Sequence, residues 1–149
     1  MFVASPVIAG VGTAHAGGAA MPARAPLPPR GAYVPVAPFR VFKTTTGAPV
    51  PAATTTVVDT ADAGVPTDGT AISVVATITV VAPVANGFAT AWSGVGARPD
   101  VSTINFQANV VENNGAVIAL NETGKFSIFN TASTHIIVDV VGYFSTEGV

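Results

Sequence analysis

Ala71-Ile72-Ser73-Val74-Val75-Ala76-Thr77-Ile78-Thr79-Val80-Val81 is the stretch that decides the fold. Strand side chains point alternately to opposite faces, and this run alternates almost throughout. Ile72, Val74, Ala76, Ile78 and Val80 share one face; Ser73, Thr77 and Thr79 share the other. The pattern predicts a half-buried strand. No segment of ten or more residues elsewhere carries the apolar spacing of a helix.

Outward from this stretch, short β-type runs are separated by turn signals. Upstream lie Phe39–Lys43, closed by Gly47-Ala48-Pro49, and the β-branched run Thr54–Thr60, followed by a turn rich in Asp, Gly and Pro. Downstream lie Phe88–Trp92, Val101–Phe106, Lys125–Asn130 and His135–Phe144. Val110-Val111 and Val117–Leu120 flank Asn113-Asn114-Gly115, and Asn-Gly is a strong signal for a type I′ hairpin. About eight strands at a spacing near 8–12 residues predict an all-β fold, an antiparallel β-sandwich or jelly-roll-like barrel.

Residues 1–38 differ in texture. They hold no sustained period and are dense in Ala, Gly and Pro, as in Pro22-Ala23-Arg24-Ala25-Pro26-Leu27-Pro28-Pro29-Arg30. Proline fixes φ and removes a donor, so such a run is expected to be extended. It cannot bury enough surface to offset its own ordering entropy. The division expected is an extended N-terminal arm over 1–38 and a β-sandwich domain over 39–149. Phe2, Val7, Ile8, Leu27 and Tyr33 are the large apolar side chains the arm offers a partner. Ala14-His15-Ala16 after a weakly apolar stretch has the form of a signal-peptidase site. No Lys or Arg precedes it, and Ser5, Pro6, Gly10 and Gly12 interrupt the stretch. A retained arm is the expectation, with a cleaved signal as the alternative.

Composition narrows the function. Only 9% of the 149 residues are Asp, Glu, Lys or Arg, while 49% are hydrophobic; average proteins carry about 25% charged residues. A surface so poor in charge implies cover by partners. With a net charge of −2 and six scattered cations, a nucleic-acid role is not expected. No apolar run approaches the ~18 residues of a membrane helix. The absence of cysteine removes disulfides, thiolate ligands and cysteine nucleophiles.

Candidate chemistry is thin. His15 and His135 are the only histidines and lack the cluster a zinc site requires. Asp59, Asp62 and Asp68 lack calcium-loop spacing and read as turn formers. His135 and Asp139 are four strand residues apart, about 13 Å, too far for a catalytic pair. No catalytic residue, metal or cofactor is assigned. Trp92, Tyr33, Tyr143 and Phe144 are weighed as a sugar platform against plain packing. Asp139 stands within the apolar run Ile136–Val141, where a carboxylate needs a partner, and Arg40 in Phe39-Arg40-Val41 is the best one. The expectation is a buried Arg40–Asp139 clamp joining first and last strands, whose removal unfolds the domain; a ligand-binding carboxylate is the alternative.

Tyr33-Val34-Pro35-Val36-Ala37-Pro38-Phe39-Arg40, Ala85-Asn86-Gly87-Phe88, Ala97-Arg98-Pro99, Ser102–Phe106 and His135–Phe144 together form a recognisable pattern. Over about residues 33–145 the chain resembles a β-domain recurrent in secreted and cell-wall-associated proteins of actinobacteria. The resemblance implies fold rather than activity. Where that family typically reads Asp-Thr-Arg after the opening Arg, this chain reads Lys43-Thr44-Thr45. Many secreted relatives also have cysteines near Ser93 and Ser127, and their absence fits assembly in a reducing cytoplasm.

Two functions stay open. One is a non-enzymatic component of a large assembly: a capsid decoration or accessory virion protein of a phage infecting actinobacteria. Its arm would grip neighbouring subunits, and a homotrimer is the working expectation. The other is a secreted cell-surface module that binds wall polymer or carbohydrate.

Overall fold

The structure, a computed structural model, describes residues 31–147. Eight strands form there: β1 (Ala32–Lys43), β2 (Thr54–Asp59), β3 (Ala71–Val81), β4 (Gly87–Trp92), β5 (Ile104–Phe106), β6 (Glu112–Ala119), β7 (Lys125–Asn130) and β8 (His135–Ser145). They make two four-stranded sheets, ordered β1-β8-β3-β6 and β2-β7-β4-β5. The antiparallel pairs β1·β8, β2·β7, β3·β6 and β4·β5 are nested in sequence. A long antiparallel hairpin wound into two sheets in this way is a jelly roll.

Packing follows from alternation. Val74, Ile78 and Val80 of β3, Ile136, Val138 and Val140 of β8, and Phe126 and Ile128 of β7 meet between the sheets, each fully buried. Polar groups that must be buried there carry out structural tasks. Asn130 donates to the carbonyls of Pro51 and Ala132, both at 2.9 Å, tying two loops together. Thr60 donates to the Gly124 carbonyl at 2.6 Å. His135, half-buried at the start of β8, adds a further link: its Nδ1 lies 2.9 Å from the Thr44 carbonyl and donates to it.

Three expectations change. Residues 32–38 are not arm but the first half of β1, with Tyr33 opposite Phe144, Val34 opposite Tyr143 and Pro35 opposite Gly142. Prolines fit because β1 is an edge strand, where a missing N–H costs no ladder bond on the open side. Asn113-Asn114-Gly115 makes no hairpin: β6 runs straight through it, paired with Ile78 and its neighbours on β3. The long β3 template outweighs the local turn preference. Ile72 faces out, 39% exposed, because the register shifts between Ala71 and Ser73 and turns Ala71 inward in its place.

Candidate assembly surfaces

The outer face of the β1-β8-β3-β6 sheet is open. Register puts Tyr33, Phe144, Ser73 and Ala119 in one row across it, and Pro35, Gly142, Val75 and Val117 in the next. Tyr33 packs against Phe144 with ring centroids 5.5 Å apart and donates its hydroxyl to the Val141 carbonyl at 3.2 Å. A Cβ at Gly142 would collide with the Tyr33 ring, so the ring lies over the bare glycine and replaces its missing side chain. Val117 is 64% exposed and Tyr33 44%.

The third row holds Arg40, Asp139, Thr77 and Gly115. Arg40 donates from Nε to Asp139 Oδ1 at 2.8 Å and from its terminal nitrogen to Oδ2 at 2.9 Å, a bidentate fork. The carboxylate holds the guanidinium above its ordinary pKa, through that hydrogen bond first and its charge second. The burial expected for the pair is not found. Both side chains stand on the solvent side, 49% and 30% exposed. Asp139 alternates outward between buried Val138 and Val140, which is why an apolar run tolerates it.

The outer face of the other sheet has a cover of its own. The chain between β4 and β5, residues 93–103, folds back across it. Thr90 donates its hydroxyl to the Val101 carbonyl, and Thr103 Oγ1 accepts the Ala91 N–H at 2.8 Å. Arg98 lies over the Phe129 ring, 3.7 Å from its centroid. Gly94, at φ +79°, passes so close to Ser127 that a Cβ would sit 2.6 Å from its hydroxyl. Under this cover Thr90 is 0% and Ser127 7% exposed, although both point away from the core. The uncovered strand β2 is joined to β7 by an ion pair of Asp59 with Lys125. Hydrogen bonds from Lys125 first, and from the Ala61 N–H next, hold the Asp59 carboxyl below its ordinary range.

Beside this cover lies an open pocket of about 230 Å³, lined by Phe88, Asp100, Val101, Ser102 and Asn105. Its lining thus includes an aromatic residue, an acidic residue, a serine and an asparagine. Among the described residues no group of three or more His, Cys, Asp or Glu side chains is placed to hold a metal ion.

Of the residues singled out from the sequence, Arg40 and Asp139 come together, and the four aromatic residues do not. Trp92 belongs to the covered sheet, Tyr143 packs against the core, and Tyr33 with Phe144 occupies the open face, so the four rings form no common platform. Phe2, Val7, Ile8 and Leu27 lie outside the described residues. Asp68 is a turn former, accepting the N–H of Thr70 at 3.0 Å and its hydroxyl at 2.7 Å. Those bonds, the hydroxyl first, lower its pKa. The cover over the second sheet is not legible in the sequence, because a loop carries no periodicity to say which face it lies on.

An eight-stranded jelly roll with one covered and one open outer face is what fold and surface define. No family model and no curated protein matches the chain. Among solved structures it is similar to the tobacco streak virus coat protein, at 14% identity and a TM-score of 0.38, over 78% of this chain and 90% of that one. A structure of that coat protein's dimer gives 16% identity and a TM-score of 0.39, over 79% and 90% of the two chains.

Proposed function

We propose that this chain is a non-enzymatic structural protein of a virus particle: a capsid decoration or accessory subunit of a phage infecting actinobacteria, anchored by the segment N-terminal to Gly31. The observation that carries this reading is the open outer face of the β1-β8-β3-β6 sheet, where valine, tyrosine and proline stand in solvent with few charges. A subunit surrounded by others keeps such a face; a solitary secreted domain exposes apolar area at the risk of aggregation. Jelly rolls recur in capsids, lectins and cupins, so the surface rather than the fold favours the capsid reading. The resemblance of Tyr33–Arg40 and His135–Phe144 to an actinobacterial β-domain supports the choice of host. The test is incorporation. A chain lacking residues 1–30 should fold, with unchanged strand content by circular dichroism, yet fail to enter particles. Mass spectrometry of native material should find residues 1–16 retained; a mature N-terminus at Gly17 overturns the reading.

The second reading, a secreted module binding wall polymer or carbohydrate, is favoured by the pocket at Phe88, Asp100, Ser102 and Asn105. Rings stack on sugars, and carboxylate and amide groups pair with hydroxyls. On that reading Phe88→Ala and Asp100→Asn each weaken binding to purified wall polysaccharide by about tenfold or more, the factor that corresponds to about 1.4 kcal/mol. Titration calorimetry that detects no binding by the unmodified protein removes it.

A further inference from the structure

We infer that the outer face of the β1-β8-β3-β6 sheet pairs with the same face of a second copy, about a two-fold axis parallel to the strands. The inference rests on this face alone and stands whether or not the protein belongs to a particle.

The two halves of the face are unlike. On β1 and β8 stand Tyr33 and Phe144 in one row and Arg40 and Asp139 in another; on β3 and β6 the same two rows hold Ser73 with Ala119 and Thr77 with Gly115, while the row of Lys43 and Ile137 continues into Thr79 and Asn113. A two-fold axis running along the strands between β8 and β3 reverses the strand order, so that β1 of one copy lies over β6 of the other. Large then meets small in the rows of Tyr33 and of Arg40. Tyr33 and Phe144 come over Ala119 and Ser73 of the second copy, and in the next row Pro35 comes over Val117 and Val75 over the Tyr33 ring that covers Gly142. Arg40 comes over Gly115, where a Cβ would find nothing within 4 Å. Asp139 comes over Thr77, whose hydroxyl can donate to the carboxylate oxygen that faces it. Lys43 comes over Asn113 and keeps a polar partner at the rim. No charge is brought against a like charge, and none is left against an apolar group. An isologous contact requires this kind of self-complementarity.

The area is sufficient. Four strands at ~4.8 Å spacing and ~11 residues at ~3.3 Å rise give a face of roughly 700 Å². Two such faces bury about 1,400 Å², within the 1,200–2,000 Å² of specific interfaces. Sheets that pack face to face lie ~10 Å apart, which interdigitated valine and tyrosine side chains fill. On the other sheet residues 93–103 already bury Thr90 and Ser127 over β4 and β7, while Val57 of β2 stays 60% exposed. A two-fold pairing takes the place of the trimer expected from the sequence.

Sedimentation equilibrium on the full chain tests this. The expected result is a monomer–dimer equilibrium in the micromolar range. Val117→Asp should give a monomer with unchanged circular dichroism and melting temperature. Since the chain has no cysteine, a Lys43→Cys/Asn113→Cys variant offers only its introduced thiols to a short bis-maleimide. It should cross-link to a covalent dimer. Within one chain the two positions are three strand spacings apart, ~14 Å, and out of reach. A full chain that stays monomeric at high concentration, or a dimer that survives Val117→Asp and does not cross-link, overturns the inference. A chain that dimerises only after deletion of residues 1–30 also overturns it, giving the face to that segment instead.

Discussion

The two outer faces of this sandwich begin alike and end differently. Both are built from threonine, serine, valine and aromatic residues on strands of similar register. One is buried in part by its own chain: residues 93–103 close over β4 and β7, and Thr90, which would be half-exposed on a bare sheet, reaches 0% exposure. The other keeps Val117 and Tyr33 in solvent. Burial on the covered side depends on directed hydrogen bonds, because a loop laid on a sheet must find partners for its own backbone. Ala91, Thr103, Thr90 and Val101 provide them. Among the described residues no such loop lies over the open side, and its apolar groups are available to another surface.

Matched substitutions break this comparison. Gly94→Ala has the largest expected effect. A left-handed φ and a Cβ 2.6 Å from Ser127 Oγ would lift the covering loop, at a cost of roughly 2–3 kcal/mol by urea unfolding. Its counterpart on the open face, Gly115→Ala, meets empty space in ordinary strand geometry and should be neutral or stabilising by about 0.5 kcal/mol. Next comes Thr90→Val, isosteric but lacking the hydroxyl that satisfies the Val101 carbonyl. A loss of about 1–2 kcal/mol is expected, accompanied by a change in Trp92 fluorescence as the cover loosens. Thr77→Val on the open face should change stability by less than about 0.5 kcal/mol. Equal costs for the two threonines would erase the distinction between the faces.

Much of this is legible in the sequence, and the failures have physical causes. Tyr33–Arg40 and His135–Phe144 open and close the sequence pattern from which a β-domain is expected. In the fold these blocks are the paired strands β1 and β8, where Tyr33 covers Gly142 and Arg40 meets Asp139. The motif therefore marks the seam between the ends of the domain. The partner of Asp139 follows from the cost of an unpaired carboxylate. Its exposure does not, because an apolar run reads the same whether its one charged residue faces core or solvent. Alternation misplaces Ile72 because a bulge shifts the pattern by one residue, and alternation is all that a sequence displays. Asn114-Gly115 misleads because turn preference is local, whereas the pairing of β6 with β3 is set by a partner some forty residues earlier. The covering loop cannot be placed from the sequence, since the cation–π contact of Arg98 with Phe129 spans two elements that no spacing rule connects.

Each sheet also carries one ion pair that fastens an edge strand to its neighbour, Arg40–Asp139 on the open sheet and Asp59–Lys125 on the covered one. Exposed pairs contribute little. Asp139→Asn should lower the melting temperature by a few degrees at most and leave the domain folded, against the unfolding expected of a buried clamp. Thermal melts in low and high salt should show the small difference shrinking as the charges are screened.

The smallest effect is one of pH. Asp59 is held below its ordinary pKa by Lys125 and the Ala61 N–H, and Asp68 by the hydroxyl and N–H of Thr70. Both lie in or next to the segment from β2 to β3, away from the Arg40–Asp139 seam. A carboxyl whose folded pKa is depressed binds its proton less readily in the folded chain than in the unfolded one. Its contribution to stability is therefore complete above the unfolded value of about 3.9 and drains away as pH falls through the lower folded value. Unfolding by urea at neutral pH and near pH 3 should show a loss on acidification that Asp59→Asn/Asp68→Asn reduces. The amide oxygen that Asp68→Asn introduces can still accept the two Thr70 bonds, so the turn should survive in that variant while its acid sensitivity declines. An acid dependence that is unchanged in the double variant would place the titrating groups elsewhere.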